Sequence, residues 1–79
     1  MKLVPVIIQK KHIKFSVHAK DHNPPHVHIN AAGAELIVNI RSFEVTSAVG
    51  FTMKQIRDLL EVVRDNQDLL LTEWENYHG

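Results

Sequence analysis

The chain has 79 residues, 44% of them hydrophobic, no cysteine and a formal net charge of zero. That is enough for one small globular domain, residues 1–79, and too apolar for a disordered tail. It excludes a disulfide framework and a thiolate metal site, and no apolar run reaches the ~18 residues of a membrane span.

The charge is unevenly spread. Residues 1–30 carry Lys2, Lys10, Lys11, Lys14 and Lys20 against one acid, Asp21, while residues 31–79 carry four basic and eight acidic residues. Solvated faces explain this simply; a basic half that meets an anion such as nucleic acid or phosphate explains it more sharply. The N-terminal apolar run is short and soon interrupted by charge, unlike a signal peptide, so a cytoplasmic protein is expected. A core this small favours a protein partner or a homodimer.

The first forty residues read as strands. "LVPVII" is β-rich, and Pro5 marks it as an edge strand or a bulge. In "HIKFSVHAK", Ile13, Phe15, Val17 and Ala19 alternate with His12, Lys14, Ser16, His18 and Lys20, the pattern of a half-buried antiparallel strand. "HVHI" alternates again, with Val27 and Ile29 inward and His26, His28 and Asn30 outward. If Ala32–Gly33 is a two-residue turn into "AELIVNI", Ile29 faces Leu36 and Val27 faces Val38, so each inward residue meets an apolar partner. On the other face His26 opposes Asn39, His28 opposes Ile37 and Asn30 opposes Glu35. "RSFEVTSAVG" is ambiguous, with Phe43 to Thr46 as a candidate last strand.

The remainder is helical. Thr52 followed by Gln55 is a capping-box pattern, and Phe51 can staple to Ile56. Met53, Ile56, Leu59, Leu60 and Val63 make an apolar stripe at helical spacing. Asp65 or Asn66 ends that helix or caps a short final one, whose Leu70, Leu71, Trp74 and Tyr77 face the core. The spacing of Trp74 and Tyr77 favours packing over a nucleobase platform. The expected fold is α+β: an antiparallel sheet of four to five strands, begun by an N-terminal meander, with two C-terminal helices packed on one face. The other face is polar and solvated, and carries the histidines.

Those histidines concentrate in "KDHNPPHVHI". Asp21, Asn23, Pro24 and Pro25 form a stiffened hairpin corner. If Val17 pairs with Val27, His18 opposes His26 and Ser16 opposes His28, which gathers His18, His22, His26 and His28. Three readings follow. His26 and His28 at i and i+2, roughly 7 Å apart along one strand side, suit chelation of zinc or another divalent transition metal. His22 or His18 and Asp21 would complete the set. Alternatively, His26 and His28 act as acid and base on an RNA phosphodiester, with His18 or His22 assisting and Lys14 or Lys20 on phosphate. The third reading is structural: surface histidines, or one that hydrogen-bonds to hold the Pro-Pro loop. Ser16 lacks a nucleophile elbow and is not a triad serine.

The segment Asp21-His22-Asn23-Pro24-Pro25-His26-Val27-His28 resembles the signature of a bacterial family of small proteins, domain of unknown function 4160. "PVI", "AELIVNI" and "LLLTEWENYHG" fall in the family's order, so the resemblance runs nearly full length. The chain departs from it at Val27, where an aromatic residue is usual, and at "NAAG", where a Gly- or Tyr-containing turn is usual. The resemblance implies a small protein encoded beside another small domain and grouped with toxin–antitoxin-like pairs. It supplies no catalytic residues. It leads to the expectation of a toxin–antitoxin-type protein that contacts a cognate protein, and RNA, through the His/Lys face. A metal-binding domain and a purely structural partner-binding module are the alternatives.

Overall fold

The computed structural model describes residues 6–18 and 22–78. The expectations for Pro5, Ala19, Lys20, Asp21 and the Tyr77 side chain fall outside the described residues. Five strands, β1 (Val6–Lys10), β2 (Ile13–Ser16), β3 (His26–Ala31), β4 (Ala34–Asn39) and β5 (Val45–Val49), precede helices α1 (Met53–Asp65) and α2 (Gln67–His78). The sheet is an antiparallel meander in the order β1-β2-β3-β4-β5. Consecutive antiparallel strands need only short connections, so sequence order becomes spatial order. The fold class is the α+β arrangement that the sequence predicts, with β1 at an edge.

Register follows the hydrophobic alternation. β3 and β4 pair Ala31 with Ala34, Ile29 with Leu36, Val27 with Val38, and His26 with Asn39. Gly33 takes φ +73° in the two-residue turn between them, a conformation glycine adopts without steric cost. β2 and β3 pair Ser16 with His28. The corner residue Pro25 continues the β3–β4 pairing, since Ile40 N–H donates to its carbonyl at 3.0 Å.

The inward residues Phe15, Val17, Val27, Ile29, Leu36, Val38 and Ile40 join Leu59, Val63, Leu70 and Trp74 of the helices in one buried cluster. Burying aliphatic and aromatic side chains of this size contributes about 1.5–3 kcal/mol each, the main force holding helices to sheet. Gln67 adds a polar tie, its Nε2 donating to the Ile40 carbonyl at 2.9 Å.

The α1 capping box forms. Thr52 Oγ1 accepts from Gln55 N–H at 3.1 Å, and Gln55 Oε1 accepts from Thr52 N–H at 2.8 Å. Asn66 closes α1, and its carbonyl accepts from Leu70 N–H at 2.9 Å as α2 begins.

Two expectations are corrected. Met53 is 75% exposed and does not belong to the apolar stripe. It is the first residue of α1, where the helix has not yet turned its stripe onto the sheet. Phe43 does not start a strand. Asn39 Oδ1 accepts from the N–H groups of Arg41 (2.8 Å) and Ser42 (2.9 Å) and bends the chain, and Phe43 N–H closes the loop on the Asn39 carbonyl at 2.8 Å. Phe43 takes φ +65° there, its ring beneath the Arg64 guanidinium at 5.1 Å, and the strand starts at Val45. No helix among the described residues is long and apolar enough to cross a membrane.

Candidate functional site: a histidine stack beside a groove

The outward residues of β2, β3 and β4 carry the candidate chemistry. Period-two alternation places Lys14 and Ser16 on the same face as His26, His28 and Asn30, and as Glu35, Ile37 and Asn39. The centre of this face is enclosed: Ser16 is 6% exposed and the His28 side chain 12%. The expectation of a fully solvated polar face therefore holds for its rim, where Lys14, His22 and Asn30 are exposed, and fails at its centre.

The reason is ring stacking. The His18 and His28 imidazoles lie 3.7 Å apart and within 13° of parallel. His26 is tilted 56° to His28 at 5.2 Å, and its other neighbour is Trp74, also at 5.2 Å. The four rings form a continuous run from the β2 end of the face to the helical core. The β2–β3 ladder stops at Ser16 and His28, so His18 lies on the diagonal neighbour, His28. Diagonal neighbours on adjacent strands sit about 7–8 Å apart, within reach of aromatic side chains.

Hydrogen bonds fix the roles of ring atoms. His26 Nδ1 lies 2.9 Å from the Pro24 carbonyl oxygen. A carbonyl only accepts, so Nδ1 carries the proton, and in a neutral ring Nε2 holds the lone pair. The peptide bond one residue earlier, Asn23–Pro24, is cis. His28 Nδ1 lies 3.7 Å from Glu35 Oε2, an ion pair when His28 is protonated, and Asn30 Nδ2 donates to the same oxygen at 3.4 Å.

Beside the stack lies a groove of about 380 Å³. Its rim is His22, Asn23 and Pro24 from the corner, with His26 from β3. Ile37 and Asn39 of β4 and Thr46 of β5 complete the lining. A second depression of about 250 Å³ sits at the other end of the face, between His12, Lys14, Asn30, Ala31 and Ala32.

The structure thus brings His18, His26 and His28 together, sets His22 with His26 in the lining of the groove, and places Lys14 at the far depression. Lys20 and Asp21 lie outside the described residues. Among the described residues no three histidine, aspartate or glutamate side chains are grouped to hold a metal ion. His26 and His28 direct their Nδ1 atoms at different partners, a carbonyl and a carboxylate.

Sequence reasoning omitted Ser16, Glu35, Ile37, Asn39 and Thr46 as site residues. The alternation does put the first four on this face. Thr46 reaches the groove only because the β4–β5 register shifts between Ile37 and Val38, and residue types alone do not announce that irregularity.

No curated protein and no solved structure shows significant similarity to the chain. A family match is found for residues 12–75, which includes every strand of this face from β2 onward and both helices as far as Glu75. The chain therefore belongs to the family described as Domain of unknown function (DUF4160).

Proposed function

We propose that the chain is the small protein of a toxin–antitoxin-type pair and that it binds single-stranded RNA across the histidine face. The observation that carries this is the run of imidazoles, His18 on His28 with His26 tilted against them, set beside a groove with Ile37 in its lining. Sequence-tolerant RNA recognition relies on aromatic surfaces that stack unpaired bases and on cations that track phosphate. The half-buried imidazoles and the rim ring of His22 supply the first, and Lys14 at the other end of the face supplies the second. The toxin–antitoxin assignment rests on the family resemblance in "DHNPPHVH", and it provides for a cognate protein partner.

Fluorescence anisotropy with a labelled mixed-sequence RNA oligonucleotide tests the binding. Loss of one stacking surface costs about 1–3 kcal/mol, so His26→Ala is expected to weaken binding by roughly fivefold to a hundredfold. Lys14→Ala is expected to lower the salt dependence by about one phosphate contact. Wild-type protein that does not bind RNA at millimolar concentration, or equal affinity in all three proteins, ends the proposal.

Cleavage is a stronger form of the same reading, favoured by the fixed tautomer of His26, whose Nε2 is the basic nitrogen. His26 as base and His28 as acid is the pair to test, with equal RNA turnover in wild type, His26→Ala and His28→Ala as the refuting result. The metal alternative through His22, His26, His28 and Asp21 predicts a melting temperature that falls with chelator.

A further inference from the structure

Asn39 uses one half of its carboxamide to hold the fold and offers the other half to the groove. Its Oδ1 accepts from the Arg41 N–H at 2.8 Å and from the Ser42 N–H at 2.9 Å. Backbone N–H groups only donate, so the amide cannot be turned over: the oxygen faces the loop and Nδ2 faces away from it. Among the described residues Asn39 Nδ2 meets no acceptor, and it is not buried. Asn39 lines the groove, so N–H donors of fixed direction open onto it.

Thr46 is fixed in the opposite sense. β4 and β5 pair Ile37 with Ser47 and Val38 with Val45, which leaves Thr46 as the extra residue of a bulge. Bulges re-aim side chains, often beside functional sites, and this one puts Thr46 in the groove lining. The Thr46 hydroxyl donates its single proton to the Ile37 carbonyl at 3.3 Å. Toward the groove it is therefore an acceptor only.

The same groove has surfaces suited to a flat ring. Asn39 stands directly opposite His26 in the β3–β4 register, and His22, Pro24, His26 and Ile37 share the lining. We propose that the groove is a nucleobase subsite, in which Asn39 Nδ2 donates to an acceptor on the base edge and Thr46 Oγ1 accepts from a donor beside it. Unpaired bases expose both kinds of group on their edges and a ring face for stacking. A phosphate carries acceptors alone and would meet the Thr46 lone pairs unsatisfied. A peptide amide has the donor and the acceptor but no ring for the imidazoles. The inference rests on the RNA reading and adds which part of the RNA enters where: a base here, a phosphate at the Lys14 depression.

Asn39→Asp is the decisive variant. Its carboxylate still accepts from the Arg41 and Ser42 N–H groups, so melting close to wild type is expected, while the donor facing the groove becomes an acceptor. Thr46→Val removes the acceptor without adding charge and keeps a β-branched strand residue. Fluorescence anisotropy compares a mixed-sequence RNA oligonucleotide with an abasic oligonucleotide of the same length and backbone. Each variant is expected to lower affinity for the base-bearing RNA, relative to the abasic one, by about twofold to tenfold. The charge added by Asn39→Asp repels both oligonucleotides alike and cancels in that ratio. Wild type that binds the two equally, or variants that leave the ratio unchanged, overturns the subsite while RNA binding stands. Wild type that binds neither overturns both. In NMR, the side-chain N–H pair that is lost in Asn39→Asp should shift in wild type on addition of adenosine monophosphate and stay in place with ribose phosphate. Equal shifts with both, or a shift with N-methylacetamide alone, which would mark a peptide site, also overturn the proposal.

Discussion

Two glycines offer a controlled experiment on how β5 is seated. Both have positive φ, +73° at Gly33 and +82° at Gly50. An alanine in that region costs about 1–2 kcal/mol relative to its favoured conformations. Each Gly→Ala change also restricts the unfolded chain, which stabilises by about 0.4–1 kcal/mol, and that contribution is common to both. What differs is space. A Cβ on Gly33 meets nothing within 4 Å. A Cβ on Gly50 would sit 2.4 Å from the Gly33 carbonyl oxygen and 2.9 Å from both Cα and Cβ of Ala34.

Those obstructing atoms are mostly backbone, and they belong to the turn between β3 and β4. They cannot yield as a flexible side chain does. Relief requires β5 to lift from the turn or the turn to deform, an overpacking cost of about 1–3 kcal/mol. Gly50→Ala is therefore expected to lose about 1–3 kcal/mol more than Gly33→Ala. At about 4–8 °C per kcal/mol for a domain of this size, the two melting temperatures should differ by at least about 4 °C. Urea denaturation gives the free-energy difference directly, provided both variants keep the wild-type slope. Equal losses, or a larger loss at Gly33, would refute the claim that Gly50 is held by the close approach of the turn.

Other expectations follow from single contacts. Thr52→Ala removes the side-chain half of the α1 capping box and should cost about 1 kcal/mol in urea denaturation. Gln67→Ala deprives the Ile40 carbonyl of its 2.9 Å donor and should cost about 1–3 kcal/mol, with Gln67→Glu no rescue. Trp74→Ala should cost about 3–5 kcal/mol, enough to unfold much of a small domain by circular dichroism, whereas Trp74→Phe should stay folded. His18→Ala uncovers His28 and loses a ring contact of about 0.5–1.5 kcal/mol; a His28 imidazole resonance unmoved by this change in NMR would contradict the stack.

The sheet was the more legible part of this molecule. For β3 and β4 a two-residue turn and strict alternation leave one register in which every inward residue meets an apolar partner, and that register is the observed one. Alternation says less where side-chain hydrogen bonds divert the chain. Phe43 has strand propensity, but the Asn39 carboxamide captures two backbone N–H groups and turns the loop before it. Met53 fits helical spacing, yet spacing does not report where the sheet ends beneath the helix. At the site, the clustering of His18, His26 and His28 could be read from the pattern, and their actual contacts could not. Opposed pairs can be counted along a sequence. The contacts that matter here are diagonal: His18 with His28, one step beyond Ser16, and His28 with Glu35, one step beyond Ile37. Sheet twist decides which diagonal closes, and twist is not written in residue types.

The diagonal contacts also change what the histidines can do. Opposed pairs alone would leave each imidazole a separate surface group. The stack instead couples them: His28 is covered by His18, braced by Glu35 on one side and met by His26 on the other. His26 in turn is held by the Pro24 carbonyl and touches Trp74, a core residue 3% exposed. The corner, the strand and the second helix therefore meet at one ring. A ligand in the groove that shifts His26 must disturb either the Pro24 bond or the Trp74 contact. Since Trp74 is the sole tryptophan of the chain, its fluorescence should report groove occupancy. RNA titration is expected to change that emission in wild type and to leave it unaltered in His26→Ala. An equal change in both proteins would place the RNA away from the groove, even if the affinity were high.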